Sequence, residues 1–431
     1  MIRKAFQSIL SQSQKQSVQK HAFSTSSQSY MEKEKQYGCN NYAPLPVVLE
    51  KGEGLYVWDV EGKKYMDFLA AYSAVNQGHV HPKIKEVFEQ EVTKVNLVSR
   101  AFYSKNLGIC QEYMNQVFGY DKALLMNTGC EGVESAVKFA RRWAYEAKKV
   151  PANEARIIFA LGNFWGRSIA ACGSSEDPGR HHNFGPFNLN FDLVEYNDIQ
   201  AMEKQLDSSP NYGAVVLESI QGERGVLIPN EGYIKAVKEA CEKRNVLLVI
   251  DEVQTGLGRT GKLLNHYWDE IRPDMVVMGK ALSGGFYPVS ALLADNKVMD
   301  CIRPGDHGST YGGNPMAAAL AKKSIEVIIE EGMVENSRIQ GERLLNGIKQ
   351  IKRDYIEDVR GRGLFVALQF KENHKFSAWD VCLQMKELGL LAKPTHNTTI
   401  RFSPPLIANE QEIDQAIAIV DKALTILEQK N

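Results

Sequence analysis

Two short segments of this chain end in residues that could do acid–base and carbonyl chemistry together. In Val246-Leu-Leu-Val-Ile-Asp-Glu-Val-Gln-Thr-Gly an apolar run leads straight into Asp251. In Pro273-Asp-Met-Val-Val-Met-Gly-Lys-Ala-Leu-Ser-Gly-Gly a second apolar run delivers Lys280 into a Gly- and Ser-rich turn. As neighbouring strands of an open α/β sheet, the two runs would bring a carboxylate and an amine to the carboxyl ends, where such sheets bind ligands. Alone, Asp251 would read as a helix cap or loop carboxylate; the lysine segment is what changes the weighting. A lysine withdrawn from water loses basicity, as a Schiff-base nucleophile must.

Pyridoxal 5'-phosphate needs such a pair. The amine tethers the cofactor's aldehyde, and the carboxylate keeps the pyridine nitrogen protonated, so that the ring draws electrons from a breaking C–H bond. The freed amine then acts as general base and acid. The phosphate needs a seat, and Asn127-Thr-Gly-Cys-Glu-Gly supplies one between a strand and an amphipathic helix. Backbone N–H groups at a helix start bind anions, with Gly129 allowing close approach. By itself that motif is weak.

Three other patterns carry less. Gly256-Leu-Gly-Arg-Thr-Gly matches a dinucleotide fingerprint, but Asp251–Thr255 separates it from the strand and no βαβ unit follows. Gly279-Lys280 lacks the earlier glycine and the following Ser/Thr of a P-loop. His79 and His81 have no evident third ligand and read as structural or substrate-lining residues, so no metal is expected.

The elements that must position these groups alternate along the middle of the chain. Strands are expected at Ala123–Met126, Arg156–Ala160, Ala214–Glu218, Val246–Ile250, Met275–Met278 and Val289–Ala294, with helical patterns between them. Val133, Ala136, Val137, Ala140, Trp143, Ala144 and Ala147 share one helical face. That alternation predicts an α/β fold with a mainly parallel sheet covered on both sides. Residues 31–72 read as strand and turn, with Tyr56-Val-Trp-Asp-Val and a turn at Glu61-Gly62. Asn314-Pro315 starts a helix running to Gly332, Gly363–Phe370 and Thr398–Phe402 read as strands, and Asn409 with Glu412 forms a capping box for a last helix. The expected division is a large domain over 73–328 and a smaller α+β domain built from 31–72 and 329–431.

The composition is that of a globular enzyme, with 44% hydrophobic and 24% charged residues. No run nears the roughly 18 apolar residues of a membrane span. A net charge of −1 gives no field to recruit nucleic acid or anionic lipid. Seven cysteines without a C-x-x-C pair suggest free thiols in a reducing compartment. Residues 1–30 stand apart: Arg3, Lys4, Lys15 and Lys20 with no acid, much Ser and Gln, and Ile2, Phe6, Ile9 and Leu10 at helical spacing. A mitochondrial transit peptide has this composition, and a matrix location follows as an expectation over a plain polar tail.

From about Asn40 to Leu424 these segments resemble the class-III (ω-) aminotransferases of fold type I. The motif Leu248-Val-Ile-Asp-Glu-Val-Gln-Thr-Gly, with Lys280 placed 29 residues after Asp251, is highly specific for that family. A finer similarity, to the ornithine δ-aminotransferase branch, rests on Asn41-Tyr-Ala-Pro-Leu-Pro-Val, Ala71-Tyr-Ser-Ala-Val-Asn-Gln-Gly-His, Gly162-Asn-Phe-Trp-Gly-Arg, Gln221-Gly-Glu, His307-Gly-Ser-Thr-Tyr-Gly-Gly-Asn-Pro, Ala392-Lys-Pro-Thr-His and Ile400-Arg-Phe-Ser-Pro-Pro-Leu.

The resemblance implies catalytic Lys280 and Asp251, Gln254 on the ring hydroxyl, and Phe164 and Val253 on the ring faces. It implies Gly129, Cys130, Ser309 and Thr310 for the phosphate, Thr310 coming from a second subunit, hence at least a homodimer. It implies that Glu223 masks Arg401 while ornithine reacts through its δ-amine, and that the released Arg401 then holds the α-carboxylate of 2-oxoglutarate. Arg167 and Tyr42 would grip the distal carboxylate, and Tyr72 would shape the pocket. Arg224 stands where the family has a small residue and is expected to compete for Glu223; Cys130 and Gly132 also depart from the usual phosphate turn. The implied reaction is ping-pong, with another ω-aminotransferase or an aminomutase as the alternatives.

Overall fold

A computed structural model describes residues 26–372 and 374–430. Residues 1–25 of the expected transit segment therefore lie outside the described residues. The chain divides into two compact units, residues 26–52 with 57–64, and residues 53–56 with 65–430.

The first unit carries a helix, Ser27–Tyr37, where strand and turn were expected for residues 31–37. Helix formers dominate there, and Gln28 donates to Glu32 one turn on, at 2.8 Å. The helix buries none of its side chains, so no apolar periodicity marked it in the sequence.

The second unit is built on a seven-stranded sheet: β1 (Lys122–Met126), β2 (Arg156–Ala160), β3 (Phe191–Val194), β4 (Tyr212–Glu218), β5 (Leu247–Asp251), β6 (Met275–Met278) and β7 (Ser290–Ala294). Their spatial order is β1-β7-β6-β5-β4-β2-β3. Strand β7 runs antiparallel to both neighbours and the pairs from β6 to β3 are parallel. Every expected strand is present. The edge strand β3 was not foreseen, because Phe191–Val194 is short, half-exposed and interrupted by Asp192.

Alternation along the strands sends side chains to two cores. Ile157, Phe159, Ala214, Val216, Leu247, Val249 and Val277 meet the helix Gly129–Glu146 through Val133, Ala136, Val137, Ala140, Trp143 and Ala144. On the other face Ile158, Val215, Leu217, Leu248 and Ile250 meet Met202, Leu206, Ile234, Val237 and Ala240. Each fully buried aliphatic side chain contributes about 1.5–3 kcal/mol, so the two faces together fix which way every strand end points.

Beyond the sheet, Asn314 caps the helix Pro315–Glu330 by accepting from Ala317 N, as expected. A four-stranded antiparallel sheet follows, β8 (Ile356–Gly361), β9 (Val366–Phe370), β10 (Lys393–Thr395) and β11 (Thr399–Phe402), in the order β8-β9-β11-β10. Strand β9 begins three residues later than the sequence suggested. Asn409 and Glu412 exchange the two bonds of a capping box ahead of the helix Glu410–Lys430.

Candidate active site

Strands β4, β5 and β6 end side by side, and each end carries an ionisable group. Glu218 and Asp251 are register partners, the last residues of β4 and β5. Lys280 lies just beyond β6, with φ +48, a left-handed conformation that a residue with a side chain rarely adopts. Lys280, Asp251 and Glu218 line one cavity with Gly129, Cys130, Phe164, Val253 and Gln254. Seven of the residues expected at the cofactor, distant in sequence, are thus brought together.

The electrostatics follow from burial. Burial pushes the Asp251 carboxyl up to about 7, although Val253 N–H donates to Oδ1 at 2.8 Å and Lys280 lies near. Burial, with Asp251 alongside, pushes Glu218 up to about 8. Burial drives the Lys280 ammonium below the ordinary lysine range. A buried acid facing a cavity without a full counter-charge, beside a weakened amine, is what a ligand with a cationic ring nitrogen and an aldehyde requires.

The anion seat is also formed. Thr128 Oγ1 accepts from Glu131 N at 3.1 Å and Glu131 Oε2 accepts from Thr128 N at 2.8 Å, a capping box that opens the helix at Gly129. A Cβ on Gly129 would stand 2.7 Å from Val253 Cγ1, so only glycine leaves the backbone exposed to the cavity. At Gly132 a Cβ would meet Val277 Cγ1 at 2.8 Å, so the glycine found there fits the space beside Val277. These residues fit pyridoxal phosphate: Lys280 for its aldehyde, Asp251 for its ring nitrogen, and the Gly129 turn for its phosphate.

Beside the cavity lies the arginine–glutamate pair. Arg401, on β11 and only 1% exposed, donates from Nη1 to Glu223 Oε1 and to Gly222 O, both at 2.9 Å. Its guanidinium carbon is 5.0 Å from the centre of the Tyr72 ring. Arg401 Nε has no hydrogen-bond partner among the described residues. Burial raises the Glu223 carboxyl, but Arg401 and Lys280 outweigh it and hold it below the usual range.

Tyr72 belongs to the run Ala70–Ser73, four successive residues with φ between +45 and +69. Asp67 Oδ1 accepts from Leu69 N and Ala70 N at 2.9 Å, and His79 Nε2 meets Asp67 Oδ2 at 2.7 Å. Gln254 Nε2 donates to Tyr72 O at 3.3 Å. His79 is therefore a buttress of this turn.

Other expected residues are placed elsewhere. Ser309 and Thr310 line a separate cavity with Ser99, Arg100 and His307; Asn127 Nδ2 donates to Ser309 Oγ at 2.9 Å. Arg167 is exposed, its guanidinium carbon 5.9 Å from the Phe164 ring centre. Tyr42 belongs to the first unit and is exposed. The competition expected of Arg224 is corrected: it donates to Leu161 O at 3.4 Å and lies 3.9 Å from Glu195, turned from Glu223.

Two site residues escaped the sequence reading. Glu218 ends an expected strand as Asp251 does, and that parallel was the available signal. Arg180 sits in no recognisable pattern; its guanidinium carbon lies 5.1 Å from the Phe164 ring centre.

The aminotransferase class-III family model matches residues 37–424. The chain is 54% identical over 408 residues to a probable mitochondrial ornithine aminotransferase of Caenorhabditis elegans, covering 95% of this chain and 96% of that one. Among solved structures, the ornithine aminotransferase of Toxoplasma gondii, described with partial occupancy of pyridoxal phosphate at its active site, superposes with a TM-score of 0.92 at 41% identity, covering 94% and 96% of the two chains. An acetylornithine aminotransferase of Elizabethkingia anophelis reaches a TM-score of 0.84 at 46% identity, covering 93% and 99%. With Lys280, Asp251 and the Gly129 turn gathered at one cavity, the chain belongs to the class-III aminotransferases, the family that uses pyridoxal phosphate.

Proposed function

We propose that the chain transfers the δ-amino group of L-ornithine to 2-oxoglutarate, giving glutamate 5-semialdehyde, which cyclises to 1-pyrroline-5-carboxylate, and glutamate. The observation that carries this reading is the Glu223–Arg401 pair, with Arg401 buried and Glu223 half-buried beside it. A free guanidinium there would clamp ornithine's α-carboxylate and present the α-amine to the cofactor. Paired with Glu223, Arg401 has no such pull, and the δ-amine enters. Glutamate and 2-oxoglutarate carry their reacting group next to a carboxylate, so they need Arg401 released for a bidentate grip.

Pyridoxal phosphate, when bound, supplies the electron sink. Asp251 keeps the ring nitrogen protonated, a task its burial suits because a cation there offsets the desolvation. Lys280 Nζ would hold the cofactor's aldehyde and, when free, would move a proton off the carbon bearing nitrogen. Its depressed basicity keeps part of it neutral and able to accept. Gly129 and Cys130 offer backbone N–H groups to the phosphate. Phe164 and Val253 confine the ring, Gln254 reaches its hydroxyl, and Tyr72 closes the floor under Arg401. Arg167 completes the grip on the distal carboxylate.

The working unit is a homodimer in this reading. Ser309 and Thr310 face a cavity apart from Lys280, suited to a phosphate held by the other subunit. Phe102, Tyr103 and Tyr311 are exposed aromatics, Tyr103 at 96%. A location in the mitochondrial matrix agrees with the basic, acid-free start of the sequence and with relatives named as mitochondrial.

The test is substrate preference of purified holoenzyme. L-ornithine should give pyrroline-5-carboxylate with 2-oxoglutarate as acceptor, at a kcat/KM at least about tenfold above N-acetylornithine and 4-aminobutyrate. N-acetylornithine is the second reading, favoured by the acetylornithine aminotransferase likeness, and a preference for it would replace the first.

A further inference from the structure

The glycine-rich run Gly256-Leu-Gly-Arg-Thr-Gly follows directly on Gln254 and Thr255, which line the cofactor cavity. Its backbone is covered and not open to a pyrophosphate: Gly363 approaches so closely that a Cβ there would stand 2.4 Å from Thr260 C. What the run delivers to the interior is one side chain, Arg259, which is 0% exposed. Nη1 donates to Leu364 O at 2.8 Å and to Pro404 O at 2.6 Å, and Nη2 donates to Asn76 Oδ1 at 2.5 Å. All three acceptors are uncharged. A buried cation on neutral acceptors is a poor device for stability, because an apolar side chain of similar volume often does as well. It is a good device for geometry, since the planar fork fixes the directions in which its acceptors lie.

Each acceptor belongs to a segment that carries or flanks a substrate residue. Asn76 lies four residues after Tyr72, and Pro404 three residues after Arg401. Leu364 leads into β9, where Ala367 is the register partner of Arg401. The Tyr72 and Arg401 segments are also bound to each other: Ser403 N donates to Phe68 O at 2.8 Å, Ser403 Oγ to Leu69 O at 2.9 Å, and Leu406 N to Asn76 O at 2.7 Å. Tyr72 and Arg401 therefore ride on one arm.

The arm meets the glycine-rich run chiefly around Arg259. Asn76 Nδ2 donates to Leu257 O at 3.0 Å, and a Cβ on Gly258, at φ +87, would stand 2.9 Å from Leu406 Cδ1. Ser337 closes the far side, its Oγ donating to Arg259 O at 2.9 Å and accepting from Leu364 N at 3.1 Å. By contrast, the direct bond from the cofactor side to the arm, Gln254 Nε2 to Tyr72 O, is 3.3 Å long.

We infer that Arg259 is the pin that sets the carboxylate-binding arm, Tyr72 with Arg401, in register with the cofactor cavity. Arg259 does not line that cavity. It is a positioning residue for substrate affinity, acting through Arg401, and its role rests on the reading that Arg401 holds the α-carboxylate of 2-oxoglutarate.

The experiment uses holoenzyme and follows the 2-oxoglutarate half-reaction by cofactor absorbance. Arg259→Met removes the fork and its charge. A misplacement of about 1 Å remote from the chemistry can cost about a hundredfold, and the Ser403 and Leu406 bonds keep the shift smaller, so KM should rise about tenfold. The limiting rate should change less than about threefold, and the dissociation constant of pyridoxal phosphate less than about twofold. Arg259→Lys keeps the charge without the fork and should show a similar rise in KM. Asn76→Ala removes one acceptor and leaves the cation; it should raise KM about threefold, and it carries the test if Arg259→Met does not fold. In an Arg401→Gln background, Arg259→Met should raise KM less than about twofold further, because the group it positions is gone. An unchanged KM in Arg259→Lys and Asn76→Ala overturns the proposal. So does a fall in limiting rate or cofactor affinity as large as the rise in KM, or a rise that persists in full beside Arg401→Gln. If Arg401→Gln alone leaves KM unchanged, the reading of Arg401 has failed before Arg259 is touched, so the two ideas fail separately.

Discussion

Glu223→Gln isolates the charge of the mask while keeping its shape. The amide oxygen can still accept from Arg401 Nη1 at the observed 2.9 Å, and Gly222 O still accepts from the same nitrogen. What is lost is the charge-assisted part. The guanidinium stays charged, so the bond falls from an ion pair to the low end of the range of about 1.5–3 kcal/mol for bonds to charged groups, and the mask weakens by about 1–1.5 kcal/mol. That is about a tenfold rise in the unmasked population. The KM for L-glutamate as amino donor should therefore fall by up to about tenfold. The rate with ornithine should lose regiospecificity, a share of product now arising from attack at the α-amine. Stopped-flow absorbance with each donor gives the first quantity. Trapping the product separates pyrroline-5-carboxylate from the α-keto product and gives the second. An unchanged or higher KM for glutamate, with ornithine still converted only at its δ-amine, would refute the masking argument.

Three further outcomes follow from the site. Lys280→Ala should lower kcat by at least about 10²–10⁴-fold, the range of a lost acid–base group, and the variant holding cofactor should resist labelling by borohydride. In the cofactor-free protein, burial raises Asp251 to about 7 and Glu218 to about 8. Both groups then bind protons more tightly folded than unfolded, so their contribution is complete below about pH 4 and is lost as the pH rises toward 7–8. Urea unfolding should show stability falling between pH 5 and pH 8.5, and Glu218→Gln should flatten that slope; a slope unaffected by the substitution would contradict the assignment. Ala71→Gly should stabilise the fold by about 0.5–1 kcal/mol, since Ala71 is exposed at φ +49 and glycine relieves about 1–2 kcal/mol of left-handed strain against its own added chain entropy. Loss of stability in urea would show that the turn carries no such strain.

Local pattern was enough for much of the framework. The apolar runs at β5 and β6 are uninterrupted and bounded by polar turns, so the sequence alone assigns Asp251 and Lys280 to strand ends. Caps at Asn314 and Asn409 were readable because they depend on residues three apart in sequence. The helix Ser27–Tyr37 was missed because it buries nothing and so leaves no periodic trace, and β3 because an edge strand needs little apolar character. Glu218 and Arg180 were missed because each is an ordinary charged residue in its local context.

The identities and spacing of Asp251 and Lys280 were determined by the sequence alone, since each is set by its own strand and the turn after it. Which carboxylate faces which guanidinium was decided only in three dimensions. Glu223 and Arg401 stand 178 residues apart, and burial on strand β11 turns their contact from a weak surface attraction into a mask. The same holds for Asp251: the chain supplies a carboxyl group, but only the packed sheet around it removes the water and raises its proton affinity.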